Sequence, residues 1–190
     1  MVGGLPDVPG IVVAMRLSPE LGAHLRGLAD ALLVNDFPGA TLVRAERELL
    51  ATAVSASNDC FYCMDSHGAF ASALLRRDRI EGVESLVDEI KSGGSAGVGP
   101  KLAALLEIAR TVQRNSREVT VAQVTRAKDA GASDADTQLA VLIAAAFCMY
   151  NRMVDGLRAQ TPPSAEAYRE RAEQIADHGY SDPRVQSLPR

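Results

Sequence analysis

Residues 48–67, ELLATAVSASNDCFYCMDSH, read as the end of one helix, a polar corner and the start of a second helix. Leu49, Leu50, Ala53 and Val54 recur at helical spacing. Ser55, Ser57, Asn58 and Asp59 then bring short polar side chains that compete for backbone hydrogen bonds, which ends the helix near residues 55–58. Beyond the corner, Cys60, Cys63, His67, Phe70, Ala73 and Leu74 return to a helical period that runs to the charged stretch Arg76-Arg77-Asp78-Arg79. Two helices joined by so short a corner pack as antiparallel neighbours.

The same pattern extends in both directions. Ser18 before Pro19 and Glu20 opens a helix, because the Ser oxygen accepts an orphan amide and Pro loses nothing at the first helical position. That helix stops at Asn35-Asp36-Phe37-Pro38-Gly39, and Thr41 is the expected cap of the next. Ile80, Val83, Leu86, Val87 and Ile90 form an amphipathic face ended by Gly93-Gly94. Leu102, Leu105, Leu106, Ala109 and Val112 form another. Thr120 and Gln123 fit a capping box, Gly131 is a natural stop, and residues 134–156 are a long helix expected to be surrounded by protein. A polar helical tail from Ser164 to His178-Gly179 is expected to pack on a neighbouring subunit. The fold class is therefore all-α, a single domain over residues 18–160 with an N-terminal arm, 1–17, and a C-terminal helical tail, 161–190.

Composition agrees. The chain has 190 residues, 47% of them apolar and only 4% aromatic with no Trp. Abundant Ala and Leu favour helices over strands, and the length allows a real core. A net charge of −4 gives no reason to expect nucleic acid or an anionic membrane as partner. The glycine-rich run at residues 93–100, GGSAGVGP, lacks the Gly-Lys-Ser/Thr of a phosphate loop and no strand leads into it, so it is a connector. The arm lacks a basic start and is broken by Pro6 and Pro9, unlike a secretory leader. The longest apolar run, residues 139–150, is short of the ~20 needed to cross a bilayer. Three cysteines without a secretory address point to a reducing, cytoplasmic setting.

The chemistry concentrates at Cys60-x-x-Cys63-x-x-x-His67. On a helix, Cys63 lies about 300° and His67 about 340° from Cys60, so the three share one wall. Cys63 and His67, at i and i+4, are close enough for the imidazole to take the thiol proton directly or through a water. Cys60 and Cys63 are near the separation a disulfide accepts, so the site can cycle between dithiol and disulfide. Glu48 and His67 lie nearly equidistant from the corner, which places them level on antiparallel helices. A Glu48–His67–Cys63 relay follows, in which the carboxylate fixes the imidazole and the imidazolium holds the thiolate. Cys60 gains more from the helix N-terminus and Cys63 gains the histidine. The second is favoured, because a positioned base also handles the proton. Glu46 points about 200° away and cannot share the role.

Glu48 followed by Cys60-x-x-Cys63-x-x-x-His67 resembles the signature of the AhpD-like alkylhydroperoxidase and carboxymuconolactone decarboxylase superfamily. Residues 151–156, NRMVDG, are similar to a late helix of its peroxidase-related branch. The resemblance implies an all-helical AhpD-like bundle, homo-oligomers such as trimers or hexamers, and thiol peroxidase activity with no metal or other cofactor. It further implies Cys63 as peroxidatic cysteine, Cys60 as resolving cysteine, Glu48 and His67 as proton relay, and a lipoyl-bearing or thioredoxin-type reductant for a hydroperoxide substrate. One position departs from the family pattern: Tyr62 stands where a His is usual between the cysteines, and it is a candidate pocket residue.

Competing readings are a decarboxylase-like lyase or isomerase that uses Glu48 and His67 alone, and a zinc or redox module built on Cys60, Cys63 and His67. Cys148 reads as packing, His24 and His178 as partly exposed structural residues, and the arginines at 76, 77 and 79 as a solvated helix end.

Overall fold

The computed structural model describes residues 8–162, 164 and 166–186. Residues 1–7 of the arm and Pro163, Ala165 and 187–190 of the tail lie outside the described residues. The elements in chain order are α1 (Val12–Leu17), α2 (Pro19–Leu33), α3 (Arg44–Ser57), α4 (Phe61–Arg77), α5 (Val83–Lys91), α6 (Pro100–Asn115), α7 (Val121–Asp129), α8 (Asp134–Gly156), α9 (Glu166–His178) and α10 (Pro183–Gln186). A 3-10 turn at Ser116–Glu118 joins α6 to α7, and an isolated bridge pairs Pro9 with Gln160. No strand occurs among the described residues, so the fold is all-α.

Helix α3 is the axis of the bundle. It packs against α4, α5, α6 and α8, and every residue from Arg47 to Ser55 is buried. Around it Leu33, Leu50, Ile90, Leu106, Leu139, Ile143 and Phe147 form the core. A helix enclosed on several faces has no solvated side on which to place its charges, so the polar residues of α3 must find partners inside. Arg47 does so by donating to the carbonyls of Leu42 at 2.9 Å and Asn35 at 2.7 Å.

Local signals explain most helix ends. Ser18 accepts from the Leu21 amide at 3.3 Å with Pro19 at the first helical position. Thr120 and Gln123 form the reciprocal capping box. Gly131, at φ +94, turns the chain into α8. The glycine-rich connector is held by its own acid: Glu89 accepts from the amides of Ala96 and Gly97.

Within the arm, α1 packs on α2. Two expectations are corrected. Thr41 does not cap α3; the cap is Val43, whose amide donates to Glu46, while Thr41 gives its amide and hydroxyl to Asp136 at 2.6 and 2.9 Å. Asp136 also accepts from the amides of Leu42 and Ser133, so one carboxylate ties the start of α3 to the start of α8. Burial opposes its charge, yet these donors hold it down to about 2. Helix α8 is not wholly enclosed: Leu142 is 45% exposed and Ala145 lies beside it at the surface. By length and composition α8 would span a membrane, and half of its apolar window is buried inside the fold. In the tail, α9 runs along α4 and α10 packs against α9.

Candidate active site

The corner between α3 and α4 is built as the sequence requires. Asn58 ends α3, Asp59 takes the left-handed conformation at φ +55, and Cys60 becomes the N-cap of α4. Cys60 thus stands at the threshold of the helix rather than within its first turn. The corner is pinned from behind by a chain of amides. Gln113 donates to Asn58 at 2.9 Å, Asn58 donates to Asn151 at 2.8 Å, and Asn151 donates to Ser55 at 3.1 Å.

This geometry brings Glu48 and His67 level. His67 Nδ1 lies 2.7 Å from Glu48 Oε2, and the Glu48 side chain is 1% exposed against 12% for His67. An ionised carboxylate only accepts, so Nδ1 carries the proton and Nε2 is left as the basic nitrogen of the ring. Phe147 and Phe70 meet the imidazole edge-on, with ring centroids 4.5 and 5.1 Å away, and fix its plane.

The other Glu48 oxygen is taken by a residue that the sequence did not single out. Tyr180 donates its hydroxyl to Glu48 Oε1 at 2.6 Å, and its ring lies 26° from the plane of His67. Burial, reinforced by the Glu48 charge, pushes the Tyr180 phenol well above its ordinary range, so it remains a donor. Asp30 on α2 anchors the turn that delivers it, accepting from the amides of Tyr180 at 2.6 Å and Ser181 at 2.9 Å. Gly179 precedes it at φ +76, where a Cβ would lie 2.9 Å from Asp30 Oδ1. The signal available in sequence was only Gly179 at the end of a polar helix.

Both thiols are buried and reduced. Cys60 is fully enclosed and clusters with Cys63, Tyr62, Val154 and Tyr168. Cys63 and His67 line a cavity of about 50 Å³. Cys60 packs behind Cys63 and Glu48 behind His67, so two of the four groups face the cavity and two support them. Cys63 is pushed up from the ordinary thiol range, first by its hydrogen bond with Cys60, then by burial, while a hydrogen bond with Asn151 pulls the other way. The expected thiolate on Cys63 is therefore not the resting state: the sulfur stays protonated until a base removes its proton.

Tyr62 lies under the arm, where a Cβ on Gly10, at φ +58, would fall 1.9 Å from its ring, and it tilts against Tyr168 at 5.9 Å. Cys148 is half-buried with Asn58 donating to it at 3.7 Å. His24 and His178 are exposed. Arg76 pairs with Glu84, and Arg77 with Glu173 and Asp177. Among the described residues no three His, Cys, Asp or Glu side chains converge to hold a metal.

Comparison with known proteins gives a consistent result. The carboxymuconolactone decarboxylase family matches residues 19–85, the segment that holds Glu48, Cys60, Cys63 and His67. No curated protein matches the chain. Among solved structures, the alkylhydroperoxidase AhpD core of an uncharacterized peroxidase-related protein from Ralstonia eutropha JMP134 superposes with a TM-score of 0.73 at 24% identity, covering 87% of this chain and 82% of that one. An uncharacterized peroxidase-related protein from Silicibacter sp. TM1040 gives 0.70 at 22% identity, with 85% and 78% covered. A protein of unknown function from Agrobacterium tumefaciens gives 0.64 at 19% identity, with 80% and 97% covered. Residues 19–85 thus match the carboxymuconolactone decarboxylase family model, and the chain as a whole shares the all-α fold of the AhpD-like structures.

Proposed function

We propose that the protein is a thiol-dependent hydroperoxide reductase. The observation that carries this reading is the pairing of Cys63 and His67 on one cavity with Cys60 directly behind the sulfur. His67, with Nδ1 bonded to Glu48, takes the Cys63 proton at Nε2. The thiolate attacks one oxygen of the hydroperoxide, the O–O bond breaks, and the leaving oxygen recovers the proton from His67 as alcohol or water. Cys63 is then a sulfenic acid, and the Cys60 thiol condenses with it to give a disulfide and water. An external dithiol restores both thiols, and a lipoyl-bearing or thioredoxin-type carrier is the reductant of that class. A homo-oligomer working in the cytoplasm completes the proposal.

The raised Cys63 thiol suits this chemistry. Charge forms at the sulfur only when the base acts, so the resting dithiol is protected from adventitious oxidation. A lyase or isomerase that used Glu48 and His67 alone would leave the buried thiol pair without a role. The test is hydroperoxide loss in the presence of dithiothreitol. Cys63→Ser is expected to abolish turnover and His67→Ala to slow it by roughly a hundredfold or more. Variants that consume peroxide as fast as the parent chain would refute the mechanism.

A further inference from the structure

The cavity that holds Cys63 and His67 is lined by two guanidinium groups and, among the described residues, by no carboxylate. Arg26 comes from α2 and Arg171 from α9, and both side chains are half-buried. Arg26 has no hydrogen-bond or ion-pair partner among the described residues. Among the described residues Arg171 makes one hydrogen bond, to the Val185 carbonyl at 3.4 Å, and no ion pair. Arg76, Arg77 and Arg126, by contrast, each have a carboxylate partner. Two cations brought together from distant parts of the chain and left without anions repel each other unless a ligand supplies the charge.

Size narrows the occupant further. The cavity, about 50 Å³ and partly open, takes a small group such as a peroxide but not the body of a larger molecule. The body of a larger substrate must extend beyond that volume, and Ile11, Met15 and Ala29 give the same cavity apolar lining beside the arginines. We propose that the site takes organic hydroperoxides whose apolar body carries a carboxylate, with Arg26 and Arg171 binding that carboxylate while the peroxide group enters toward Cys63. The inference rests on the peroxidase reading above and names its substrate class.

The test compares a fatty-acid hydroperoxide with its methyl ester, and adds decanoate as a non-reactive anion. In the parent chain kcat/KM for the acid is expected to exceed that for the ester by roughly tenfold, the effect of one charged hydrogen bond. Arg26→Gln and Arg171→Gln are each expected to draw that ratio toward one, with Arg171→Lys retaining part of it. Decanoate is expected to slow iodoacetamide alkylation of Cys63, and decanol is not. Equal turnover of acid and ester, or a ratio untouched in both Gln variants, would overturn the carboxylate assignment and leave the peroxidase reading standing. Absence of turnover with decanoate protection intact would overturn the peroxidase reading and uphold the anion site. Absence of both would overturn both.

Discussion

Replacing Tyr180 with Phe removes one oxygen atom and keeps the ring that packs on His67 and Phe70. That oxygen is the donor to Glu48 Oε1 at 2.6 Å, while Oε2 is already committed to His67. Glu48 is fully buried, so water does not replace the lost donor. A hydrogen bond to a charged group contributes about 1.5–3 kcal/mol, and leaving a buried acceptor unpaired costs at least as much. A loss of about 2 kcal/mol corresponds to a fall of about 4–8 °C in the unfolding midpoint for a domain of this size. If the imidazolium–carboxylate pair is also what the transition state needs, the same 2 kcal/mol lowers peroxide kcat/KM by roughly 30-fold. Thermal unfolding by circular dichroism and a peroxide assay on the same preparation read the two effects. An unmoved midpoint together with unchanged turnover would refute the claim that the tail supports the relay. A lowered midpoint with unchanged turnover would confine Tyr180 to stability.

Three further outcomes follow from other parts of the molecule. Cys60→Ala removes the largest influence holding the Cys63 thiol up, so iodoacetamide should label Cys63 at neutral pH at least about tenfold faster, one unit of pKa; equal or slower labelling, read by mass spectrometry, would contradict this. In the parent chain the same labelling rate should climb with pH through the neutral and alkaline range, because a raised thiol is protonated there; a plateau below neutral pH would count against the raised thiol. Asp136→Asn should destabilise the fold by about 2 kcal/mol at neutral pH. The sign follows from a folded pKa of about 2 lying below the usual 3.8: the stabilisation is complete above about pH 4 and is lost as pH falls toward 2. Urea unfolding of both proteins should therefore differ at pH 7 and converge near pH 2.

The sequence discloses the groups that lie close together along the chain and hides those brought from far away. Glu48 and His67 are legible because a short corner forces α3 and α4 into antiparallel contact, and counting residues from Asn58 sets them level. Ser18 with Pro19, and Thr120 with Gln123, are legible because a cap is a local bargain between a side chain and an amide three residues on. Thr41 misleads for the opposite reason: its partner, Asp136, is 95 residues away and outcompetes the local cap. Tyr180 reaches Glu48 across 132 positions through a turn with no periodic pattern, and only packing reveals it. The burial of Glu48 is a property of α3 as the central helix, which no window of α3 alone contains. The state of the Cys63 thiol is not legible either, because spacing shows its pairing with His67 but not the contact with Cys60 and the burial that push it up.

The most direct measurement is a single turnover of the fully reduced chain with one equivalent of hydroperoxide, quenched and mapped by peptide mass spectrometry. The account predicts a disulfide between Cys60 and Cys63 that grows in step with peroxide loss, Cys148 remaining alkylatable, and a sulfenic acid trapped at position 63 in Cys60→Ser. Peroxide loss without that disulfide, or loss that persists undiminished in Cys63→Ser, would contradict it.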